Sequence, residues 1–246
     1  MNSAAFRPAG AGAWLDSPEP GLHPEAVQQD FAADDLDSRT DDAPTPAWTC
    51  LAPLRDPALL LERTLAACDR TSDLWVFGYA SLIWRPEFQA AEERLARVHG
   101  HHRALRMRSR INRGTPEQPG LVFALVRGGS CQGMVYRIER ERAEAELRRL
   151  WRREMPSGVY DPKWLQCHTN QGPVSALAFT LSRHSPNYTG ELDDDALVAV
   201  LRHARGRYGS TLEYLLKTAV CLRDCGIRDL AIERQVALAR RHGLAA

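Results

Sequence analysis

The chain has 246 residues, a formal net charge of +1 at pH 7 and six scattered cysteines. This length allows one substantial hydrophobic core, or one domain with an appendage, and the near-neutral charge gives no electrostatic footprint for nucleic acid. Because no apolar run approaches the roughly 20 residues of a membrane span and no C-x-x-C pair occurs, we expect no membrane partner, no disulfide framework and a cytoplasmic location.

The first 47 residues differ in composition from the rest of the chain. They are rich in Pro, Ala, Gly and Asp and lack sustained periodicity, so residues 1–47 are predicted to be a disordered extension. Asp56 and Pro57 then suit an N-cap and a first helical position, which makes residues 48–71 a lead-in helix. The main domain is predicted to cover residues 72–246.

An apolar run at residues 74–77 predicts a buried strand, which Gly78 interrupts. The residues that follow it, up to Ile83, are small or uncharged. Such a loop can direct consecutive backbone N–H groups at one point and form an anion-binding nest, to which Ser81 would add a hydroxyl group. A glycine-assisted turn beside two packed tryptophans explains the same spacing without a ligand, so the spacing alone leaves both interpretations open.

Alternating residues over 94–108 predict one or two strands with a break at Gly100. Apolar segments at 121–126 and 132–138 predict two more strands, with residues 127–130 as the hairpin connection between them. Further strands are predicted at 163–169 and 174–181.

Three histidines, His99, His101 and His102, lie close together near the predicted break. Histidine is a common zinc ligand, but a zinc site usually completes its shell with cysteine or acidic residues at short, regular spacing. No such partner lies at ligand spacing here. We therefore expect no metal site.

Glu154 ends a helix predicted over 139–154 and lies four residues after Leu150, on the apolar stripe of that helix. Solvent-facing glutamates do not usually lie on such a stripe, whereas the two arginines before it are predicted to face solvent. A structural ion pair with Arg110 or Arg113 is the commoner explanation for a carboxylate in this position. Position alone therefore makes Glu154 only a candidate for chemistry.

Three helices are predicted to end the chain, at residues 196–205, from 211 to about 224, and from Asp229 onward. Ser210 and Glu213 fit a capping box for the second of them. Strands dominate up to about residue 181 and helices after it. This order predicts an α+β fold with a small closed or strongly curved β-barrel and flanking helices.

Five segments carry short motifs: Phe77-Gly78-Tyr79-Ala80-Ser81-Leu82-Ile83-Trp84-Arg85-Pro86, Arg113-Gly114-Thr115-Pro116-Glu117-Gln118-Pro119-Gly120, Arg153-Glu154-Met155, Pro186-Asn187-Tyr188-Thr189-Gly190 and Glu213-Tyr214-Leu215. In this order they resemble F-G-Y-G-S-L-I-W-[KR]-P, R-G-T-P-E-x-P-G, R-E-M, P-N-Y-x-G and E-Y-L of the ChaC-like gamma-glutamylcyclotransferases. Each motif is modest alone, but five in register are specific, and they cover roughly residues 72–230.

The resemblance implies a small β-barrel and a lyase that cleaves glutathione, its small-molecule partner, to 5-oxoproline and cysteinylglycine without a cofactor. Carried over by position, it implies that Glu154 is the catalytic acid/base. It also implies that one loop holds the gamma-glutamyl group: Gly78, Tyr79, Ala80, Ser81, Leu82 and Ile83. The oligomeric state is not implied, and contacts to the cysteinylglycine half remain open among Arg110, Arg113, Tyr160 and Tyr188.

Ala80 departs from the family pattern, which has glycine at this position. If the position requires a positive φ, alanine costs roughly 1 kcal/mol and the loop shifts; if φ is negative, the methyl group only narrows the pocket. Two alternatives therefore stay open: a cyclotransferase for other gamma-glutamyl amines or dipeptides, and a binding module without turnover. Ala80 favours the binding module, and the retained Glu154 opposes it.

Overall fold

A five-stranded β-barrel organises the part of the chain that the computed structural model describes, residues 55–69 and 71–245. The predicted extension 1–47 lies outside these residues. The strands are β1 (Leu74–Gly78), β2 (Glu92–Ser109), β3 (Gly120–Ile138), β4 (Asp161–Thr169), β5 (Gly172–Leu181) and a small hairpin of β6 (Arg205–Gly206) and β7 (Gly209–Ser210). The helices are α1 (Pro57–Ala66), α2 (Ser81–Trp84), α3 (Arg140–Glu154), α4 (Asp194–His203), α5 (Thr211–Asp224) and α6 (Leu230–Arg241).

The barrel strands lie in the order β1-β3-β2-β4-β5, and parallel pairing of β1 and β3 with β5 closes the ring. Val76 pairs with Leu177, and Leu125 with Thr180, at this closure. Closure leaves no exposed sheet edge along the ring. The predicted α+β fold with a closed barrel and flanking helices is confirmed.

The predicted hairpin at residues 127–130 is wrong, because β3 continues through it without a turn. Gly128 and Gly129 do have positive φ angles of 107° and 69°. Opposite them, the register of β2 shifts between His99 and His101. The glycines therefore form part of a bulge that bends two long paired strands around the barrel, and the turn signal in the sequence marked curvature instead of a chain reversal.

Helices α1 and α3 cover one part of the barrel. Asp56 caps α1 by accepting hydrogen bonds from the N–H groups of Ala58 and Leu59. Trp151 on α3 is buried and donates from Nε1 to the carbonyl oxygen of Pro57 at 2.8 Å. The lead-in helix is thereby fixed to the same core as the barrel.

Helices α5 and α6 cover another part of the barrel. The predicted capping box is present, with Ser210 and Glu213 exchanging hydrogen bonds at the start of α5, and Asp229 caps α6. The hairpin of β6 and β7, which precedes α5, is absent from the sequence prediction.

Within residues 55–69 and 71–245, no helix is both long and apolar enough to cross a membrane. No group of three or more His, Cys, Asp or Glu side chains in this part of the chain could hold a metal ion. The cysteines of these residues form no disulfide.

Candidate active site

The predicted binding loop runs from the end of β1 into the single helical turn α2. Gly78 is still paired in the sheet, with Met134, and a Cβ atom there would lie 3.0 Å from the Tyr136 ring. The N–H of Ile83 donates to the carbonyl oxygen of Ala80 at 2.9 Å and is therefore occupied within the turn. Ser81 and Leu82 are the first two residues of the turn, and N–H groups at the start of a helix have no acceptor inside it. These two N–H groups are therefore better placed than that of Ile83 to bind a ligand.

Ala80 has φ −148° and lies outside the left-handed region. Its methyl group is buried, with 4% of the residue exposed. The alternative in which alanine strains the loop through a positive φ therefore does not apply. The methyl group of this loop residue only occupies buried space.

We expect Ala80→Gly to lower the free energy of unfolding by about 0.5–1 kcal/mol, because it removes a buried methyl group and gives the unfolded chain more freedom. Since no positive φ is relieved, kcat/KM for glutathione should change little. Urea unfolding and steady-state kinetics of the purified variant measure both quantities. A more stable variant would show that alanine does strain the loop.

Arg103 on β2 fixes the backbone of the binding loop. Its side chain is only 1% exposed. It donates to the carbonyl oxygen of Tyr79 at 2.7 Å and to that of Gln132 at 2.8 Å, and it pairs with Asp229 at 3.2 Å. The loop, the barrel wall and the start of α6 are therefore joined through one guanidinium group, whose importance no motif in the sequence indicates.

Glu154 lies at the last position of α3, with 14% of its side chain exposed. Its Oε1 atom is 3.1 Å from Nε of Arg153. Arg153 also donates to the Ser81 hydroxyl group at 3.2 Å and lies 3.3 Å from a carboxylate oxygen of Glu87. The prediction that both arginines before Glu154 face solvent is wrong for Arg153, which links Glu154 to the predicted binding loop.

Burial raises the pKa of Glu154 above its ordinary value, the charge of Arg153 partly offsets this rise, and the charge of Glu87 adds to it. Arg153 divides its charge between two carboxylates, so it neutralises Glu154 only in part. A carboxyl group with a raised pKa can both accept and donate a proton near neutral pH. This is the property that proton transfer in both directions requires.

Opposite pH shifts are expected from two substitutions next to Glu154. Arg153→Met removes a positive charge, so the pKa of Glu154 rises and the acidic limb of kcat/KM moves to higher pH. Glu87→Gln removes a negative charge, so the pKa falls and the limb moves to lower pH. As a control, Arg148→Met removes a charge on an exposed part of the same helix and should leave the pH profile unchanged. Shifts of the same sign in Arg153→Met and Glu87→Gln would contradict the assignment of the acidic limb to Glu154.

Three buried tyrosines, Tyr79, Tyr160 and Tyr214, lie within electrostatic range of Glu154. Burial raises the pKa of each, and the negative charge of Glu154 adds to the effect, so all three hydroxyl groups stay protonated. The Tyr79 hydroxyl donates to the carbonyl oxygen of Phe179 at 3.0 Å and is hydrogen-bonded to Tyr160. Of these three tyrosines, the sequence analysis connects only Tyr79 and Tyr160 with substrate. Tyr214 occurs there only as part of the motif Glu213-Tyr214-Leu215.

The residues left open for the cysteinylglycine half separate in the structure. Arg110 donates to Oδ1 of Asn187 at 2.7 Å, and the hydroxyl group of Tyr188 lies 3.4 Å from Arg106. Arg113 instead lies over the ring of Tyr214, with its Cζ atom 5.1 Å from the ring centroid. Of Arg110 and Arg113, Arg113 is therefore the one that contacts a tyrosine within electrostatic range of Glu154.

Two surface cavities lie elsewhere in the described part of the chain. One of about 500 Å³ lies between α1 and β4, next to Arg55 and Trp164. The other, of about 290 Å³, lies beside Gln89 and Arg142. Neither is lined by Glu154 or by residues 78–83, so the candidate site is defined by its side chains and not by the volume of a cavity.

Comparison with known proteins shows similarity in sequence and in fold. The family model described as ChaC-like protein matches residues 74–241. The chain is 34% identical over 188 residues to a glutathione-specific gamma-glutamylcyclotransferase of Escherichia coli, covering 74% of this chain and 81% of that protein. It is 33% identical over 158 residues to glutathione-specific gamma-glutamylcyclotransferase 1 of Homo sapiens, covering 62% of this chain and 71% of that protein.

A solved structure supports the fold at lower identity. The crystal structure of a selenomethionine-labelled gamma-glutamyl cyclotransferase specific to glutathione, from yeast, superposes with a TM-score of 0.63 at 21% identity. The match covers 69% of this chain and 96% of that one. At this identity the likeness concerns the arrangement of strands and helices.

Proposed function

This chain belongs to the ChaC-like protein family, and from that membership we propose that it is a lyase that cleaves glutathione to 5-oxoproline and cysteinylglycine. The names of its relatives in Escherichia coli and Homo sapiens support this substrate. The observation that carries the mechanism is the buried carboxyl group of Glu154, linked through Arg153 to the turn after β1. We propose Glu154 as the catalytic residue and residues 78–83 as the binding loop.

The substrate supplies its own nucleophile in this reaction. The α-amine of the gamma-glutamyl group attacks the γ-carbonyl carbon, a five-membered lactam ring forms, and the amide C–N bond to cysteine breaks. Water is not consumed. Because well-oriented intramolecular attack has an effective molarity on the order of 10⁵ M or more, the protein needs mainly to orient the chain and move protons.

Glu154 performs the proton transfers in this proposal. Its ionised form takes a proton from the α-ammonium group, which frees the amine for attack. The protonated form then donates to the leaving nitrogen of cysteinylglycine. The attacking nitrogen gives up its second proton as the lactam forms, and this proton passes through the same carboxylate to the released amine. A pKa raised by burial suits both steps, because the carboxyl group can change its charge near neutral pH.

The binding loop provides neutral donors in this proposal. The N–H groups of Ser81 and Leu82 are assigned to the substrate's α-carboxylate or to the oxyanion of the tetrahedral intermediate. The protonated hydroxyl groups of the neighbouring tyrosines add no negative charge. Positively charged groups are then needed only at the other end of the substrate.

The direct test is to incubate purified protein with reduced glutathione and to quantify 5-oxoproline. Cyclisation predicts equimolar 5-oxoproline and cysteinylglycine, no glutamate, and no incorporation of ¹⁸O from labelled water. N-acetylglutathione, whose blocked amine cannot close the ring, should not react. Release of glutamate would identify a hydrolase instead of a cyclotransferase. Faster turnover of gamma-glutamyl-alanine than of glutathione would favour a cyclotransferase for dipeptides. Binding of glutathione without product would favour a binding module without turnover.

A further inference from the structure

Two positively charged side chains lie on adjacent aromatic rings next to the binding loop. Nζ of Lys217, on α5, is 4.4 Å from the centroid of the Trp84 ring, and Arg113 lies over the ring of Tyr214. The two rings meet edge to face at 6.3 Å. Lys217 is thereby placed beside Trp84, the last residue of α2 and the next residue after the loop, and Arg113 lies on the adjacent ring.

Lys217 and Arg113 form a cationic cluster in which no carboxylate pairs with the ammonium group of Lys217. Although the residue as a whole is exposed, partial burial lowers its pKa, and the charges of Arg113 and Arg85 lower it further. Among residues 55–69 and 71–245 no carboxylate lies within ion-pair distance of Lys217, and the buried Nε1–H of Trp84 has no acceptor there. Arg113 itself donates to the carbonyl oxygen of Tyr208. An ammonium group without a carboxylate partner, next to an N–H group without an acceptor, is complementary to an anion.

Tyr214 separates this cluster from the proposed catalytic residue. The charge of Glu154 raises the pKa of Tyr214, after the larger effect of burial, while the charge of Arg113 lowers it. Glu154 and Arg113 therefore both lie within electrostatic reach of this one hydroxyl group. A two-residue peptide extends by at most roughly 7 Å, so a leaving group with its nitrogen at Glu154 must reach the cations within that length.

We propose that Lys217, with Arg113 beside it, binds the C-terminal carboxylate of the cysteinylglycine half of glutathione. The inference rests on the proposed function and names a residue that determines specificity for that substrate. The carboxylate is the only full negative charge on this half at neutral pH when the thiol is protonated. Lys217 can turn toward it because its ammonium group is held by a ring and not by an acid.

Charge removal on both partners tests the contact. Wild type, Lys217→Met and Lys163→Met are each assayed with glutathione and with its glycine ethyl ester. Lys163 is the matched control, since it is the other lysine of the chain and lies exposed on β4. A lost hydrogen bond to a charged group should raise KM for glutathione about tenfold to hundredfold in Lys217→Met with kcat nearly unchanged. KM for the ester should be equally high in wild type and in Lys217→Met, and Lys163→Met should match wild type with both substrates.

Three results would overturn the inference. An unchanged KM for glutathione in Lys217→Met would show that the ammonium group does not contact substrate. An equal loss with glutathione and with the ester would show that Lys217 only supports Trp84. If wild-type protein released no 5-oxoproline from glutathione, the proposed function would fail and this inference with it. Lys217→Arg, which keeps the charge, should recover part of the affinity.

Discussion

Replacing Glu154 by Gln is expected to reduce the release of 5-oxoproline from glutathione by about 10²–10⁴-fold, the usual contribution of a general acid–base residue, while the fold is retained. Glutamine has the same shape and can still hydrogen-bond, but it cannot take up a proton from the α-ammonium group. Arg153 keeps its contacts with Ser81 and Glu87 after the exchange. The stability of the protein should therefore change much less than its turnover.

The measurements for this variant are kcat/KM for glutathione and thermal unfolding. Glu146→Gln is the matched control, because Glu146 is also buried on α3 and pairs with an arginine, Arg142, at 3.2 Å. The control should lose stability, because a buried ion pair is broken, but should keep its turnover. Unchanged turnover in Glu154→Gln would show that another group moves the protons.

Replacing Arg103 by Met is expected to destabilise the protein by about 3–5 kcal/mol, as is usual when one partner of a buried ion pair is removed. The exchange leaves the carbonyl oxygens of Tyr79 and Gln132 without their donor and Asp229 without its cation. Because Tyr79 belongs to the binding loop, KM for glutathione should rise as well. Urea unfolding and steady-state kinetics measure the two effects.

Two further variants keep this prediction testable if Arg103→Met does not fold. Arg103→Lys retains the charge but not the forked donors, so it should fall between wild type and Arg103→Met. Arg97→Met is the control: Arg97 lies exposed on the same strand, and surface changes of this kind usually stay within about 0.5 kcal/mol. An Arg103→Met protein as stable as wild type would show that the loop does not depend on this contact.

Some elements followed from local sequence because their causes are local. The helix starts at Asp56 and Asp229 and the capping box of Ser210 and Glu213 involve residues three or fewer positions apart, and each occurs in the structure. Periodic apolar positions likewise gave helix α3 to within one residue of its observed start. The same local logic failed at Gly128, where a glycine that often marks a turn lies within a continuous strand because the barrel bends there.

Some features of the candidate site were likewise predictable from the sequence, and others depended on the tertiary structure. The order of five motifs in the sequence was sufficient to identify the family by resemblance, and that resemblance implied the barrel and Glu154 as the candidate acid. Only the folded chain decided that Arg153, and not Arg110 or Arg113, pairs with Glu154, that Arg103 holds the Tyr79 carbonyl, and that Lys217 lies on Trp84. Contacts such as Arg153 to Ser81 and Arg103 to Asp229 join residues 72 and 126 positions apart. No periodicity or cap connects residues at such distances, since closure of the barrel and packing of α3, α5 and α6 against it bring them together.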